Sequence, residues 1–174
     1  MQAVLSHPLV LAADRYAEQV QPARRARRAH AVSKLVAAYV TRPEVVAAAA
    51  LQEVAPYCAF DELRARFGEP TARLVAEIQP GGCGSRKGEG NSTRAALKTR
   101  RLQRLSPEAQ SIRLATLIQR TMRLLERPLT LARVGLAQTC AELAALERAH
   151  PVLQSIARKL CGAASRRLGA VQGA

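Results

Sequence analysis

Apolar residues recur every three or four positions along most of the chain, the spacing that places them on one face of an α-helix. The segment 43–54 is apolar nearly all round, so we expect it to lie at the centre of the fold. The helices that the pattern predicts cover residues 8–20, 30–39, 43–54, 60–67, 70–78, 94–105 and 107–126, followed by a helical pair over about 130–168 that breaks near residue 150.

Three short signals mark the ends of these helices. Thr41 and Glu44 fit a capping box, in which the Thr41 hydroxyl accepts a hydrogen bond from the Glu44 amide. Ser106 before Pro107 predicts a helix start, because a capping hydroxyl precedes a proline that suits the first turn. Gly68 is a suitable C-terminal stop, because glycine adopts the left-handed backbone conformation that often ends a helix.

Glycine and serine interrupt the helical pattern over residues 79–93. Glycines beside Lys87 do not satisfy the G-x-x-x-x-G-K-[ST] pattern of a phosphate-binding loop, and no strand is predicted before them. We therefore expect one helical domain over residues 1–168, with a flexible Gly-rich loop at 79–93 and a loose tail at 169–174.

Composition and charge narrow the class of protein. Alanine and leucine dominate and aromatic residues make up only 3%, which favours an all-α fold. The net charge of +14 should attract polyanions such as nucleic acid or nucleotides, although a proteome rich in arginine would produce the same excess. Four widely spaced cysteines, no predicted signal peptide and no apolar run of membrane-spanning length predict a cytoplasmic protein with reduced thiols and no membrane partner.

Three blocks carry the chemistry that the sequence suggests, and a C-terminal helix over 141–146 accompanies them. The first is Ala49–Val54, an apolar helix interrupted by Gln52 and Glu53. The second runs from Phe60 to Val75, and the third from Ser106 to Thr116. In this order the blocks resemble the small SpoT-type (RelA/SpoT homologue) HD-domain (p)ppGpp hydrolases, which read A-L-L-H-D-V in the first block and K-L-A-D in the third.

This resemblance implies a compact multi-helix HD-domain fold and removal of the 3′-pyrophosphate from (p)ppGpp. The family holds one divalent metal, usually manganese, through two imidazoles and two carboxylates, and the matching positions here are His30, Gln52, Glu53 and Thr116. Because Gln52 and Thr116 supply only neutral oxygens, metal affinity should fall by orders of magnitude. The site is therefore interpreted as vestigial at Gln52, Glu53 and Thr116, with no bound cofactor expected and with His30 and Glu53 as residual metal candidates.

Further positions that match family functional residues are also altered. The family has an acidic pair after the HD segment, and the matching positions here are Pro56 and Tyr57, neither of which is a base at neutral pH. A functional asparagine of the family is matched here by Arg120. Guanidinium groups bind phosphate without a metal. Five arginines are therefore the ligand-binding candidates: Arg24, Arg25, Arg28, Arg113 and Arg120. The alternative is that they form an ordinary solvated basic face.

Three functions remain open at this point. The first is a catalytically inactive pseudoenzyme that binds a phosphorylated nucleotide such as (p)ppGpp, or a partner, through a basic pocket. The second is a divergent manganese-dependent (p)ppGpp 3′-pyrophosphohydrolase built on His30 and Glu53. The third is a basic helical protein that binds nucleic acid, for which five aromatic residues offer little stacking surface.

Overall fold

The computed structural model describes residues 2–79, 91–126 and 128–170, and within these ranges all regular secondary structure is helical. The prediction of an all-α fold is confirmed. The chain divides into two compact units, Met1–Gly81 and Gly82–Ala174. The expectation of one domain over residues 1–168 stays a prediction, and each unit is described by itself.

The first unit contains six α-helices and one 3₁₀ turn in the part that the structure describes. They are α1 (Gln2–Leu5), α2 (Pro8–Val20), α3 (Ala23–Ala37), α4 (Pro43–Leu51), the 3₁₀ turn Ala55–Tyr57, α5 (Phe60–Phe67) and α6 (Glu69–Ile78). Four further helices are described in the second unit. They are α7 (Asn91–Arg104), α8 (Pro107–Leu124), α9 (Leu129–Ala144) and α10 (Pro151–Ala170).

Helix α4 is the centre of the first unit, as its apolar pattern predicts. It packs against α1, α2, α3 and α6, and every residue from Val45 to Leu51 is buried. Four consecutive alanines, Ala47–Ala50, have no exposed surface, and their small side chains allow neighbouring helices to approach closely. The first polar side chains therefore follow where this helix ends.

Helix α8 is the centre of the second unit. It packs against α9 and α10, which also contact each other, while α7 packs against α9. Ile112, Ala115 and Ile118 lie buried at the three-residue spacing that the sequence predicts. The Ser106 hydroxyl accepts from the Ala109 amide at 3.2 Å, so the predicted N-cap of α8 is confirmed.

The other predicted helix ends gave mixed results. Gly68 ends α5 at φ 82°, a backbone conformation that glycine adopts without strain, and this stop is confirmed. The Thr41–Glu44 capping box is wrong: the N-cap is Arg42 and makes no side-chain capping bond, because Pro43 takes the first helical position.

The predicted flexible loop and tail lie mostly outside the described residues. Positions 80–90 and 171–174 are not described. At the edges, residues 91–93 belong to α7 and residues 169–170 belong to α10, so the helical pattern extends further at both places than the sequence analysis expected.

Ala48→Leu should lower the free energy of unfolding by about 1–3 kcal/mol, because three extra carbons must fit into a fully buried position of α4. Urea denaturation measures the change. Ala76→Leu is the matched control on an exposed position of α6, with an expected change within about 0.5 kcal/mol. Equal effects at the two positions would contradict a central α4.

Candidate functional site

Three of the five candidate arginines lie in the first turns of α3, close to the end of α4. Arg28 Nη2 lies 3.5 Å from Glu53 Oε2, and Arg25 Nε lies 4.0 Å from the same oxygen. Arg25 and Arg28 share a helix face because they are three residues apart. Buried Ala26 and Ala29 lie on α3 between and beside them, and α3 packs against α4, so that face comes close to Glu53. We call these three side chains the Arg25–Arg28–Glu53 cluster; Arg24 is exposed next to it along the chain.

The aromatic ring of Tyr57 lies beside this cluster. From the sequence, this position was noted only because the SpoT-type family has an acidic residue there. Tyr57 lies in the 3₁₀ turn, and its hydroxyl accepts a hydrogen bond from Arg25 Nη1 at 3.1 Å. The guanidinium carbon of Arg25 lies 5.9 Å from the ring centroid, within range of a cation–π interaction. The Tyr57 side chain is 44% exposed. No sequence signal short of the helix packing would place this ring beside Arg25.

His30 lies further along α3 and contacts α2. Its Nδ1 is 3.2 Å from Asp14 Oδ2, close enough for an ion pair when the imidazole is protonated, although the approach is not aligned as a hydrogen bond. Burial raises the pKa of the Asp14 carboxyl, and the nearby His30 offsets only part of that rise. His30, one of the two residual metal candidates, therefore has the Asp14 carboxylate as a neighbour.

Gln52 caps the end of α4 with its side chain buried. Its backbone carbonyl accepts a hydrogen bond from the Gln79 side-chain amide, which ties the end of α4 to the residue after α6. Glu53, one residue further, is partly exposed. The Gln52 amide is thus buried, whereas the neighbouring Glu53 carboxylate is accessible.

The second unit contains a charged cluster around Glu142 on α9, whose side chain is only 4% exposed. Lys98 Nζ of α7 contacts one carboxylate oxygen at 2.5 Å, and Arg113 of α8 donates to the other. Arg120 Nη1 lies 3.6 Å from the first oxygen, and its Nη2 donates to Gln138 at 3.0 Å. Three cations from two helices therefore surround one buried carboxylate.

The cations decide the protonation state of Glu142. Burial alone would raise the pKa of this carboxyl, but Arg113 and Lys98 together hold it below its ordinary value of 4.5. The sequence did not single out Glu142 as a functional candidate. Its helix counted only as part of the resemblance to the SpoT-type family. A single acidic residue within an alanine-rich helical segment was the available signal, since a carboxylate on an apolar face requires partners.

Thr116 lies on the same side of α8 as Arg113 and Arg120, three and four residues away. Its hydroxyl donates to the Ile112 carbonyl at 3.0 Å, a bond within its own helix. Thr116 belongs to the second unit, whereas Gln52 and Glu53 belong to the first.

The structure brings the predicted residues together in two separate sets. Arg25 and Arg28 meet Glu53, and Arg113 and Arg120 meet Glu142. Among the described residues, no three His, Cys, Asp or Glu side chains are grouped so that they could hold a metal ion. None of the helices in the described ranges has both the length and the apolar character to cross a membrane.

Comparison with known proteins identifies the fold. No protein-family model matches the sequence, and no curated protein sequence matches it significantly. A solved structure of a metazoan ortholog of SpoT, which hydrolyzes ppGpp and plays a role in starvation responses, superimposes with a TM-score of 0.73. The match covers 88% of this chain and 94% of that one at 16% sequence identity. The chain therefore shares the helical fold of this SpoT ortholog, as the sequence predicts.

Glu142→Gln should lower the free energy of unfolding at pH 7 by about 2 kcal/mol, because three cations lose their buried counter-charge while all three remain partly solvated. The folded-state pKa is below 4.5, so this contribution is complete above that pH and is lost as the pH falls through the lowered pKa. Urea denaturation of both proteins from pH 7 to pH 3 measures the difference.

The matched control is Glu147→Gln, which removes an exposed carboxylate from the same unit and should change stability little at any pH. A Glu142→Gln deficit that stays constant down to pH 3 would show that the substitution acts through packing and not through charge.

Proposed function

We propose that this chain, which has the fold of the SpoT-like HD proteins, binds a phosphorylated nucleotide such as ppGpp and does not hydrolyse it. One observation carries the proposal. Glu53, at the position that matches a metal-binding aspartate of the family, has Arg28 and Arg25 as its neighbouring cations. Guanidinium groups at this position favour retention of a phosphate ligand without a metal ion.

The residues at the family's metal-ligand positions do not fit manganese. That ion takes carboxylates and imidazoles, whereas Gln52 is a neutral amide and the Thr116 hydroxyl is bonded to its own helix. His30 lies against Asp14, and the Glu53 carboxylate lies against two arginines. The metal-dependent step of the family is therefore not part of this proposal.

The Arg25–Arg28–Glu53 cluster can accept a phosphoryl group at its surface. Arg25 and Arg28 are 44% and 36% exposed, and each guanidinium carries five N–H donors. Contacts of 3.5 and 4.0 Å with a single carboxylate oxygen use few of these donors. Two cations share one carboxylate here and exposed Arg24 precedes them in α3, so a net positive charge remains for a phosphate.

Tyr57 supplies a surface for the base of the nucleotide. Its exposed ring lies beside Arg25, so a base stacked on the ring would place the attached phosphates near the guanidinium groups. Arg113 and Arg120 stay separate phosphate-binding candidates of the second unit, and the site at Glu53 does not depend on them. Glu142 holds both side chains in position before a ligand arrives.

Without manganese, ppGpp should raise the melting temperature of the protein, corresponding to about 2.7 kcal/mol of added stability at a ligand concentration near 100 Kd. The double variant Arg25→Gln/Arg28→Gln should lose this shift, because it removes the phosphate donors. The matched control is Arg64→Gln/Arg73→Gln, which removes two exposed arginines that also share one carboxylate, Glu69. Titrations with GTP and with manganese, alone and combined with ppGpp, complete the measurement.

The competing function is a divergent hydrolase. Release of pyrophosphate from ppGpp that requires manganese and disappears in His30→Ala would overturn the proposal in its favour. Loss of the ppGpp shift to the same extent in both double variants would also count against a site at Glu53.

Tyr57→Leu should weaken ppGpp binding about tenfold, the effect of losing one base–aromatic stack, while the affinity for inorganic pyrophosphate stays unchanged. Tyr39→Leu is the control, since this tyrosine is similarly exposed but follows the other end of α3. Isothermal titration calorimetry measures both ligands. An equal loss for ppGpp and pyrophosphate would show that the ring positions Arg25 and does not bind the base.

A further inference from the structure

The positive charge of this protein is concentrated in one of its two units. Residues 1–81 contain ten Lys and Arg against eight Asp and Glu, a net charge of +2. Residues 82–174 contain seventeen against five, a net charge of +12. A compositional bias of the whole proteome would act on both units, so it does not explain this asymmetry.

The two units also use their cations differently. In the first unit, six of the ten are in ion pairs with carboxylates of that unit: Arg25, Arg28, Arg42, Arg64, Arg66 and Arg73. In the described part of the second unit, Glu142 forms ion pairs with Lys98, Arg113 and Arg120. Seven exposed cations there belong to no ion pair: Arg100, Arg104, Arg148, Arg158, Lys159, Arg166 and Arg167.

Helix α10 carries the densest group of these cations. Lys159 and Arg166 are seven residues apart, so they lie on one face with about 10.5 Å between them along the axis. Arg158 and Arg167 lie directly beside them in the sequence. The other exposed positions from 155 to 169 hold only Ser, Ala or Gly, so no bulky side chain separates the cations from a partner surface.

The cation-bearing part of α10 lacks the side chains that other polyanion partners require. All five aromatic residues of the protein lie in residues 1–81, so the second unit has none on which a base could stack. The exposed positions from 155 to 169 of α10 also lack the large apolar side chains with which amphipathic helices enter a membrane, and exposed Val152 lies in the first turn, before these cations. A partner must therefore be recognised through its phosphates alone, and a duplex has the highest density of them.

We infer that α10 in the second unit forms a docking surface for double-stranded nucleic acid, bound through its phosphate backbone by the exposed cations of this helix without reading sequence. This function is separate from the nucleotide site at Glu53, which lies in the other unit.

The test uses the full chain and 20-base-pair duplexes of two unrelated sequences, each as DNA and as RNA, together with the matching single strands. Fluorescence anisotropy should show binding to duplexes without sequence preference and weaker binding to single strands. If about four phosphates are contacted, the affinity should fall about 100-fold between 50 and 200 mM salt. The DNA and RNA arms identify which duplex is preferred.

The variant Arg158→Gln/Lys159→Gln/Arg166→Gln should lower duplex affinity at least tenfold and reduce the salt slope by about 2.7, since each lost phosphate contact removes about 0.9. Its matched control is Arg15→Gln/Arg27→Gln/Lys34→Gln, three exposed cations of the first unit. Both variants remove two arginines and one lysine, so both lower the net charge equally, and the control should bind within twofold of the parent protein. Circular dichroism checks that each remains helical.

Three results would overturn the inference. Equal losses in the two triple variants would indicate attraction by net charge without a surface on α10. Preference for single strands, or absence of duplex binding at 50 mM salt, would exclude a duplex partner. Binding to vesicles of phosphatidylserine and phosphatidylcholine that depends on the α10 cations, with no duplex binding, would assign the surface to an acidic membrane instead.

Discussion

The burial of α4 from Val45 to Leu51 is the constraint on which the first unit depends. A segment that is surrounded by α1, α2, α3 and α6 cannot carry a polar side chain without a partner, and its alanines keep the surrounding helices close. Polar side chains therefore lie only before and after this segment, at Glu44 in the first turn and at Gln52 and Glu53 beyond the last. Because α3 packs along α4, Arg25 and Arg28 meet Glu53 as a direct consequence of this packing.

In the other unit, the buried carboxylate of Glu142 holds three helices together. Glu142 is taken out of water, and Lys98, Arg113 and Arg120 compensate for that loss from two other helices. Outside this cluster, seven exposed cations of the described second unit belong to no ion pair, four of them on α10. One unit thus uses opposite charges to hold itself together, while the other leaves its excess charge available to anionic partners.

The comparison with the SpoT ortholog separates fold from chemistry. At 16% identity the helical arrangement is retained over 88% of the chain, because core packing accepts many apolar sequences of similar volume. A metal site has no such tolerance, since each ligand must be of the right type. A shared helical fold is therefore compatible with a site in which Arg28 lies close to the carboxylate of Glu53.

The sequence by itself determined the helical class, the central position of α4, the Ser106 cap and the Gly68 stop, because these follow from periodicity and neighbouring residues. It also determined how unevenly charge is distributed along the chain. Only the tertiary structure decided which charges meet. Arg28 and Glu53 are 25 residues apart and Lys98 and Glu142 are 44 apart, distances over which local pattern carries no information. Their pairing depends on which helix faces pack together, so the tertiary fold and not the sequence spacing determines these ion pairs.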